Sequence, residues 1–191
     1  CLGYRKCKVK NNVIKNCGAG VLFQYFKPNV QSVYKSIFDG KKPVDYPIAY
    51  NAHAEISGND ITITPSNEVD KSMGIKVYGY HLTKDTNAIG HGSHDLIPAN
   101  NYYVSGVKVS DNKITTCGHG IQFFDVKDSS ISGNTIVCNG KGEFDGIFGE
   151  FESRGIAVSG NEVTNAPRYG ICFQGQSSAS EITANTVKTA G

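Results

Sequence analysis

Six times along the chain an apolar residue is followed by a spacer, a small or polar residue, an asparagine, a second spacer and another apolar residue. The copies run from Val9 to Ile14, Ile56 to Ile61, Val109 to Ile114, Ile131 to Ile136, Val158 to Val163 and Ile182 to Val187. Their asparagines are Asn12, Asn59, Asn112, Asn134, Asn161 and Asn185. A second element, glycine followed by an aliphatic residue, a spacer and a large residue, follows most copies. It appears as Gly20-Val21-Leu22-Phe23, Gly74-Ile75-Lys76-Val77, Gly120-Ile121-Gln122-Phe123, Gly146-Ile147-Phe148 and Gly170-Ile171-Cys172-Phe173. Alternation over three or four residues predicts short strands with one buried face. Gly and Asn tolerate the left-handed backbone of a sharp corner. A unit of three strands and three corners uses roughly twenty-odd residues, the spacing of a solenoid coil.

The asparagine steps of 22, 27 and 24 residues from Asn112 to Asn185 fit one coil each. Equivalent asparagines are then expected to stack and bond along the axis, satisfying buried polar groups at the corner. The first two steps, 47 and 53, are about twice as long. Residues 27–53 are expected to hide one coil without the asparagine, with Val30-Gln31-Ser32-Val33 as its corner and Pro47-Ile48-Ala49-Tyr50 as its next strand. Residues 79–105 lack the pattern and are expected to form a loop beside the coil stack; a loop of that length is more often functional than not.

These repeats resemble those of the right-handed parallel β-helix in the pectate-lyase-like superfamily. That group includes polysaccharide lyases, some glycoside hydrolases, alginate epimerases and phage tailspikes. The resemblance implies an all-β fold, a single-stranded right-handed parallel β-helix of about six coils, forming one domain over residues 1–191. Both ends look open, so the chain is expected to be a stretch of a longer helix. A fold of this kind does not by itself give an activity.

Composition changes the picture little. With 39% hydrophobic residues and 22 glycines the chain is globular and turn-rich, and with a net charge of +2 it offers no basic surface for nucleic acid. No apolar run approaches the length of a membrane span. The six cysteines, Cys1, Cys7, Cys17, Cys117, Cys138 and Cys172, show no zinc-like spacing and are expected as small buried or turn residues without disulfides.

In the resembled superfamily the substrate lies along one strand of each coil and its flanking corners. Alternation places Lys76, Tyr78, Gln122, Phe124, Phe148, Glu150, Cys172 and Gln174 outward there. His119, Asp145, Arg168 and Tyr169 precede these strands, and Asp125 follows one. Asp125, Glu150, His119 and Asp145 are the candidate catalytic residues. Lys76, Tyr78, Gln122, Phe124, Phe148, Arg168, Tyr169 and Gln174 are the candidate substrate-binding residues. Asp125 and Glu150 are expected one coil apart, near the roughly 5–9.5 Å separation of paired-carboxylate glycosidases. A uronate lyase or epimerase would instead draw a base from Lys76, His119, Tyr78 or Tyr169, and an enolate stabiliser from Arg154 or Arg168. The Asp-Pro-His signature of alginate epimerases and the paired Asp motifs of polygalacturonases are absent from the sequence.

His81, His91, His94 and Asp95 lie in the 79–105 segment, but no helix aligns them, and a polar lid is expected rather than a metal site. No Asp-rich loop indicates calcium, and no cofactor is expected. The expected function is action on, or binding of, a polysaccharide at an extracellular, cell or virion surface. The alternatives are a non-catalytic adhesin or tailspike shaft, for which a homotrimer is the expected assembly, and a structural spacer. Nucleic acid and membrane are not expected partners.

Overall fold

A computed structural model of the chain describes residues 6–24, 49–64, 72–81 and 101–189. The first coil holds β1 (Lys8–Lys10), β2 (Val13–Cys17) and β3 (Ala19–Gln24). The second holds β4 (Ala49–Ser57), β5 (Asp60–Ile63) and β6 (Met73–Tyr78), followed by the short β7 (Tyr80–His81). The third holds β8 (Asn101–Ser110), β9 (Lys113–Thr116) and β10 (His119–Phe124). The fourth holds β11 (Val126–Ser132), β12 (Thr135–Cys138) and β13 (Ile147–Glu150). The fifth holds β14 (Arg154–Ser159), β15 (Glu162–Thr164) and β16 (Ile171–Phe173), and β17 (Ser178–Thr183) and β18 (Thr186–Lys188) close the series. Corresponding strands pair in parallel to give three sheets, β1-β4-β8-β11-β14-β17, β2-β5-β9-β12-β15-β18 and β3-β6-β10-β13-β16. This is a right-handed parallel β-helix, and among the described residues it contains no α-helix.

The asparagines stack at the corner between the first and second sheets. The backbone N–H of Asn112 donates to Oδ1 of Asn134 at 3.0 Å, and its Nδ2 donates to the same oxygen at 2.9 Å. Nδ2 also donates back to the Ile56 carbonyl at 2.9 Å. The same pattern links Asn12 to Asn59, Asn59 to Asn112, Asn134 to Asn161 and Asn161 to Asn185. The left-handed backbone falls on the residue before each ladder asparagine: Asn11, Gly58, Asp111, Gly133, Gly160 and Ala184 have φ between 52° and 64°. The repeat therefore divides the labour, one residue turning the chain and the next bonding along the axis.

The glycine of the second motif has a different cause. A Cβ on Gly120 would lie 2.4 Å from the Gly146 carbonyl oxygen and 2.5 Å from a methyl of Ile136. Gly20, Gly74, Gly146 and Gly170 are similarly crowded, the first three by the next coil's glycine carbonyl and all four by an aliphatic side chain of the second sheet. After this close approach Val21, Ile75, Ile121, Ile147 and Ile171 pair in one column, and the first four are buried. In the neighbouring column Phe123 pairs with Gly149 and Gly149 with Phe173, whose ring occupies the space a Gly149 side chain would need.

Pairing corrects the reading of the first long step and the far boundary of the second. Lys8 pairs with Glu55 and Val21 with Ile75, so no coil intervenes between the first and second. A coil within 27–53 has no place in the stack, because Asn12 bonds directly to Asn59. Ala49 and Tyr50 begin β4, while residues 25–48, including Val30 to Val33, lie outside the described residues. Similarly, Ile75 pairs with Ile121 and Ile56 with Val109, which leaves no coil between the second and third. Residues 101–105 belong to β8, and Tyr80–His81 pairs antiparallel with Asn101–Tyr102, so the segment departs and returns at one place. Residues 82–100 lie outside the described residues.

The ladder and the core make separate contributions that unfolding measurements can resolve. Ile121→Ala is expected to lower stability by about 2–5 kcal/mol through loss of packing and the cavity left behind. Asn134→Ala removes the acceptor of both Asn112 donors, and each buried group so orphaned is worth about 1–3 kcal/mol. It is therefore expected to destabilise at least as much as Ile121→Ala in urea denaturation. A much smaller effect would mean that the ladder only follows the backbone pairing.

Candidate functional site

Strand pairing arranges the outward residues of the third sheet in two columns. Gln122 lies between Lys76 and Phe148, and Phe148 is followed by Cys172; Phe124 lies between Tyr78 and Glu150. The aromatic rings pack on one another across coils. Phe124 meets Tyr78 edge-on with centroids 5.6 Å apart, and meets Phe148 at 6.5 Å. The Lys76 ammonium sits 4.6 Å from the Phe124 ring centroid and 5.2 Å from that of Tyr78. Burial against these rings pushes the Lys76 pKa down, and the nearby Glu150 partly opposes that shift.

The corner leading into the third sheet is organised by Asp145. Its side chain is 0% exposed, and it receives Arg168 through Nε at 2.9 Å and through a terminal nitrogen at 2.5 Å. The Tyr169 N–H adds a third donor at 3.1 Å. Arg168 is held in its charged form by this bond, and its guanidinium lies 5.5 Å from the Phe148 ring centroid. The Asp145 N–H in turn donates to Nδ1 of His119 at 3.0 Å. A ring nitrogen that accepts a hydrogen bond is unprotonated, so His119 is neutral with its proton on Nε2. The imidazole stacks on Phe148 with centroids 4.7 Å apart and planes 7° from parallel. Burial pushes its pKa down to about 4.

These groups border an open groove of about 710 Å³ lined by Lys76, His119, Gln122, Phe124, and Lys141 to Phe144. Lys141, Glu143 and Phe144 come from the corner between β12 and β13 and carry no repeat signature. The only sign of them in the sequence is that the Asn134–Asn161 step has 27 residues where the preceding one has 22. Phe144 closes the wall edge-on to His119 at 5.4 Å. Gln122 is 6% exposed, and its carboxamide oxygen has no hydrogen-bond partner among the described residues.

The structure redistributes the candidate catalytic groups. Asp125 does not stand with Glu150 on the outward face. Its φ of 49° turns the side chain into the corner, where it is 0% exposed and accepts the Glu152 N–H at 3.3 Å. Asp145 is likewise buried, committed to Arg168 and Tyr169. Arg168 is therefore a braced cation rather than a mobile one. Glu150 stays at the surface, taking a bond from Gln174 Nε2 at 3.2 Å. Tyr169 is 54% exposed at the corner, and Tyr78 lines up beside Phe124. Arg154 lies away from the groove, bonded to Gln176.

A family model described as the right handed beta helix region matches residues 44–187. The chain belongs to the right-handed β-helix family. No curated protein and no solved structure matches it. Membership accounts for the ladder and the three sheets and leaves the chemistry of this right-handed β-helix protein to its outward face.

Among the described residues no group of three or more His, Cys, Asp or Glu is placed to hold a metal ion. His91, His94 and Asp95 lie outside the described residues. Among the described residues Cys17, Cys117, Cys138 and Cys172 are free thiols. Burial pushes Cys138 up to about 11 and also raises Cys172 at the edge of the site, so neither is a ready nucleophile.

The His119 environment predicts an acid-side weakness. The unfolded chain takes up this proton near pH 6.5, the folded protein only near pH 4. Between those values the unfolded state binds more protons, so stability falls as pH drops through the window. In His119→Asn an amide oxygen can still accept the Asp145 N–H, but nothing titrates. Melting temperatures measured from pH 7 to pH 4 are expected to fall less steeply in this variant than in the parent. Parallel slopes would show that His119 does not carry the effect.

Proposed function

We propose that the outward face of the third sheet binds a polysaccharide, with the Gln122 groove at its centre. The observation that carries this reading is the Gln122 carboxamide oxygen, buried and without a partner among the described residues, on the border of an aromatic-walled groove. A buried orphan acceptor costs about 1–3 kcal/mol, which a ligand hydroxyl donor would offset once the carboxamide turns toward the groove, and an apolar ligand would not. Sugars present such hydroxyls next to apolar C–H faces, matching Phe124, Phe144 and the rim groups Lys76 and His119 Nε2–H. The rigid stack keeps these groups in place before binding, so little ordering is needed. A face of this kind suits a protein that meets glycans at an extracellular, cell or virion surface.

A lyase or epimerase reading has its own support. Lys76 borders the same groove, and an amine with a depressed pKa is a candidate base for proton abstraction next to a uronate carboxyl, with His119 Nε2–H as a hydrogen-bond donor beside it. Paired-carboxylate hydrolysis has less support, since Asp125 and Asp145 are both buried.

Gln122→Leu separates a binding role from a packing role. It removes the orphan oxygen while keeping the volume, so the melting temperature is expected to hold or rise. Affinity for the polysaccharide, measured by titration against a panel, is expected to fall at least tenfold. Unchanged affinity would overturn the reading. Absorbance at the unsaturated-uronate band in the same incubations distinguishes turnover from binding alone.

A further inference from the structure

The turn that follows the third sheet holds a residue of the wrong type for its backbone. Asp125, Phe151 and Gly175 occupy equivalent positions in three successive coils, with φ of 49°, 58° and 69°. Aspartate and glycine enter the left-handed region readily; a bulky aromatic residue does so rarely and under strain. Strain of this kind persists where the surroundings enforce it, and it concentrates at functional sites. The Phe151 side chain is nevertheless 37% exposed, so burial is not a sufficient reason for its presence.

Phe151 borders a second cavity of about 350 Å³, lined also by Glu150, Glu152, Gln174, Gly175 and Gln176. This cavity is distinct from the Gln122 groove, but its wall is continuous with it, since the Phe151 and Phe124 rings pack 5.1 Å apart. The polar rim is mixed. Gln174 Nε2 is bonded to Glu150, and Gln176 Oε1 accepts from Arg154 at 3.5 Å. Those bonds leave Gln174 Oε1 as an acceptor and Gln176 Nε2 as a donor on either side of Gly175. Glu152 is anchored by the Tyr103 hydroxyl, whose ring carries the Lys127 ammonium 3.3 Å from its centroid.

We propose that this turn is a second sugar subsite, specific for an uncharged pyranose, with its C–H face on Phe151 and its hydroxyls on Gln174, Gln176 and Glu150. The charge argument sets the class. Two carboxylates, Glu150 and Glu152, line this cavity, with the Arg154 guanidinium 4.0 Å from Glu152, and together disfavour an anionic sugar, whereas the first groove has Lys76 and Lys141 against a single carboxylate, Glu143, on its border. The proposal extends the polysaccharide reading of the outward face: adjoining subsites of opposite charge would select a glycan that contains neutral units.

The test uses defined neutral oligosaccharides (cello-, malto- and galacto-series) and oligouronates, titrated calorimetrically into the whole chain. Phe151→Gly removes the ring and relieves the backbone, so its melting temperature is expected to hold or rise. Affinity for a neutral oligosaccharide is expected to fall at least tenfold. Gln176→Ala, an exposed change that does not threaten the fold, is expected to weaken the same ligand several-fold. Neutral binding unaffected by either variant, or absent in the parent chain, overturns the subsite. Oligouronate binding that depends on Phe151 overturns its neutral class. The Gln122 reading fails separately: Gln122→Leu would leave all glycan binding intact while Phe151→Gly abolished the neutral part.

Discussion

Each ladder asparagine from Asn59 to Asn161 is bonded to the coil on either side of it. Its Oδ1 accepts two donors from the asparagine one coil earlier, the backbone N–H and the side-chain Nδ2. Its own Nδ2 returns a bond to the carbonyl three residues before that earlier asparagine, as Asn59 does to Val9 and Asn161 to Ile131. Asn59, Asn112, Asn134 and Asn161 are each only 1% exposed, so these bonds replace water at a corner that water does not reach. A shift of one residue between coils would break several of them together and turn every inward side chain outward. The ladder therefore sets axial register for the first and second sheets, and the crowded glycine column carries that register into the third.

The outward face of the third sheet inherits its geometry from this constraint. Gln122 stands between Lys76 and Phe148 because Ile121 stands between Ile75 and Ile147 on the inner side. At the corners the pleat no longer decides direction, and specific polar bonds take over. Asp145 is the clearest case: its buried carboxylate fixes Arg168 and draws in the Tyr169 N–H, while its backbone N–H sets the tautomer of His119. Removing the carboxylate would leave the Arg168 cation and the Tyr169 N–H at the corner without their acceptor, so its role is to position the groove's polar groups.

What the sequence made legible follows the same division. Repeats report what each coil must do, so the asparagine ladder, the isoleucine columns and the outward placement of Lys76, Gln122, Phe124, Phe148 and Glu150 could be read from spacing alone. Corners are idiosyncratic. Asp125 follows Phe124 directly, and strand alternation offers no account of it, because the sign of its φ, not the pleat, turns its carboxylate inward. The burial of Asp145 depends on a partner 23 residues away in the next coil. Lys141, Glu143 and Phe144 belong to no repeat and were signalled only by a long step. The first double-length step invited the insertion of a coil, and only direct pairing across it shows that the stack runs on without one.

The fate of the carboxylates shapes what chemistry the groove can support. Hydrolysis of a glycosidic bond in its usual form needs two carboxyl groups facing one substrate, one to give a proton and one to attack or to activate water. Of the three acids that sequence spacing brought toward this face, Asp145 is neutralised by Arg168 and Asp125 is folded into its corner. Glu150 alone remains at the surface, at the junction between the groove and the adjoining turn. The groups that border the groove are instead a partly desolvated lysine, a neutral imidazole, a buried amide oxygen and, from the corner between β12 and β13, Lys141 and the single carboxylate Glu143. None of these needs a second carboxylate to hold a hydroxylated ligand. The imidazole, with Nδ1 engaged by the Asp145 N–H and Nε2 already protonated, can only donate. The lysine, once deprotonated, can accept a proton only from an acid strong enough to match it, which a neutral sugar is not and a carbon beside a well-stabilised uronate carboxyl can be. Recognition thus demands least of this geometry, and proton abstraction demands an additional cation close to the carboxyl, a duty that Arg168, already paired with Asp145, is poorly placed to assume.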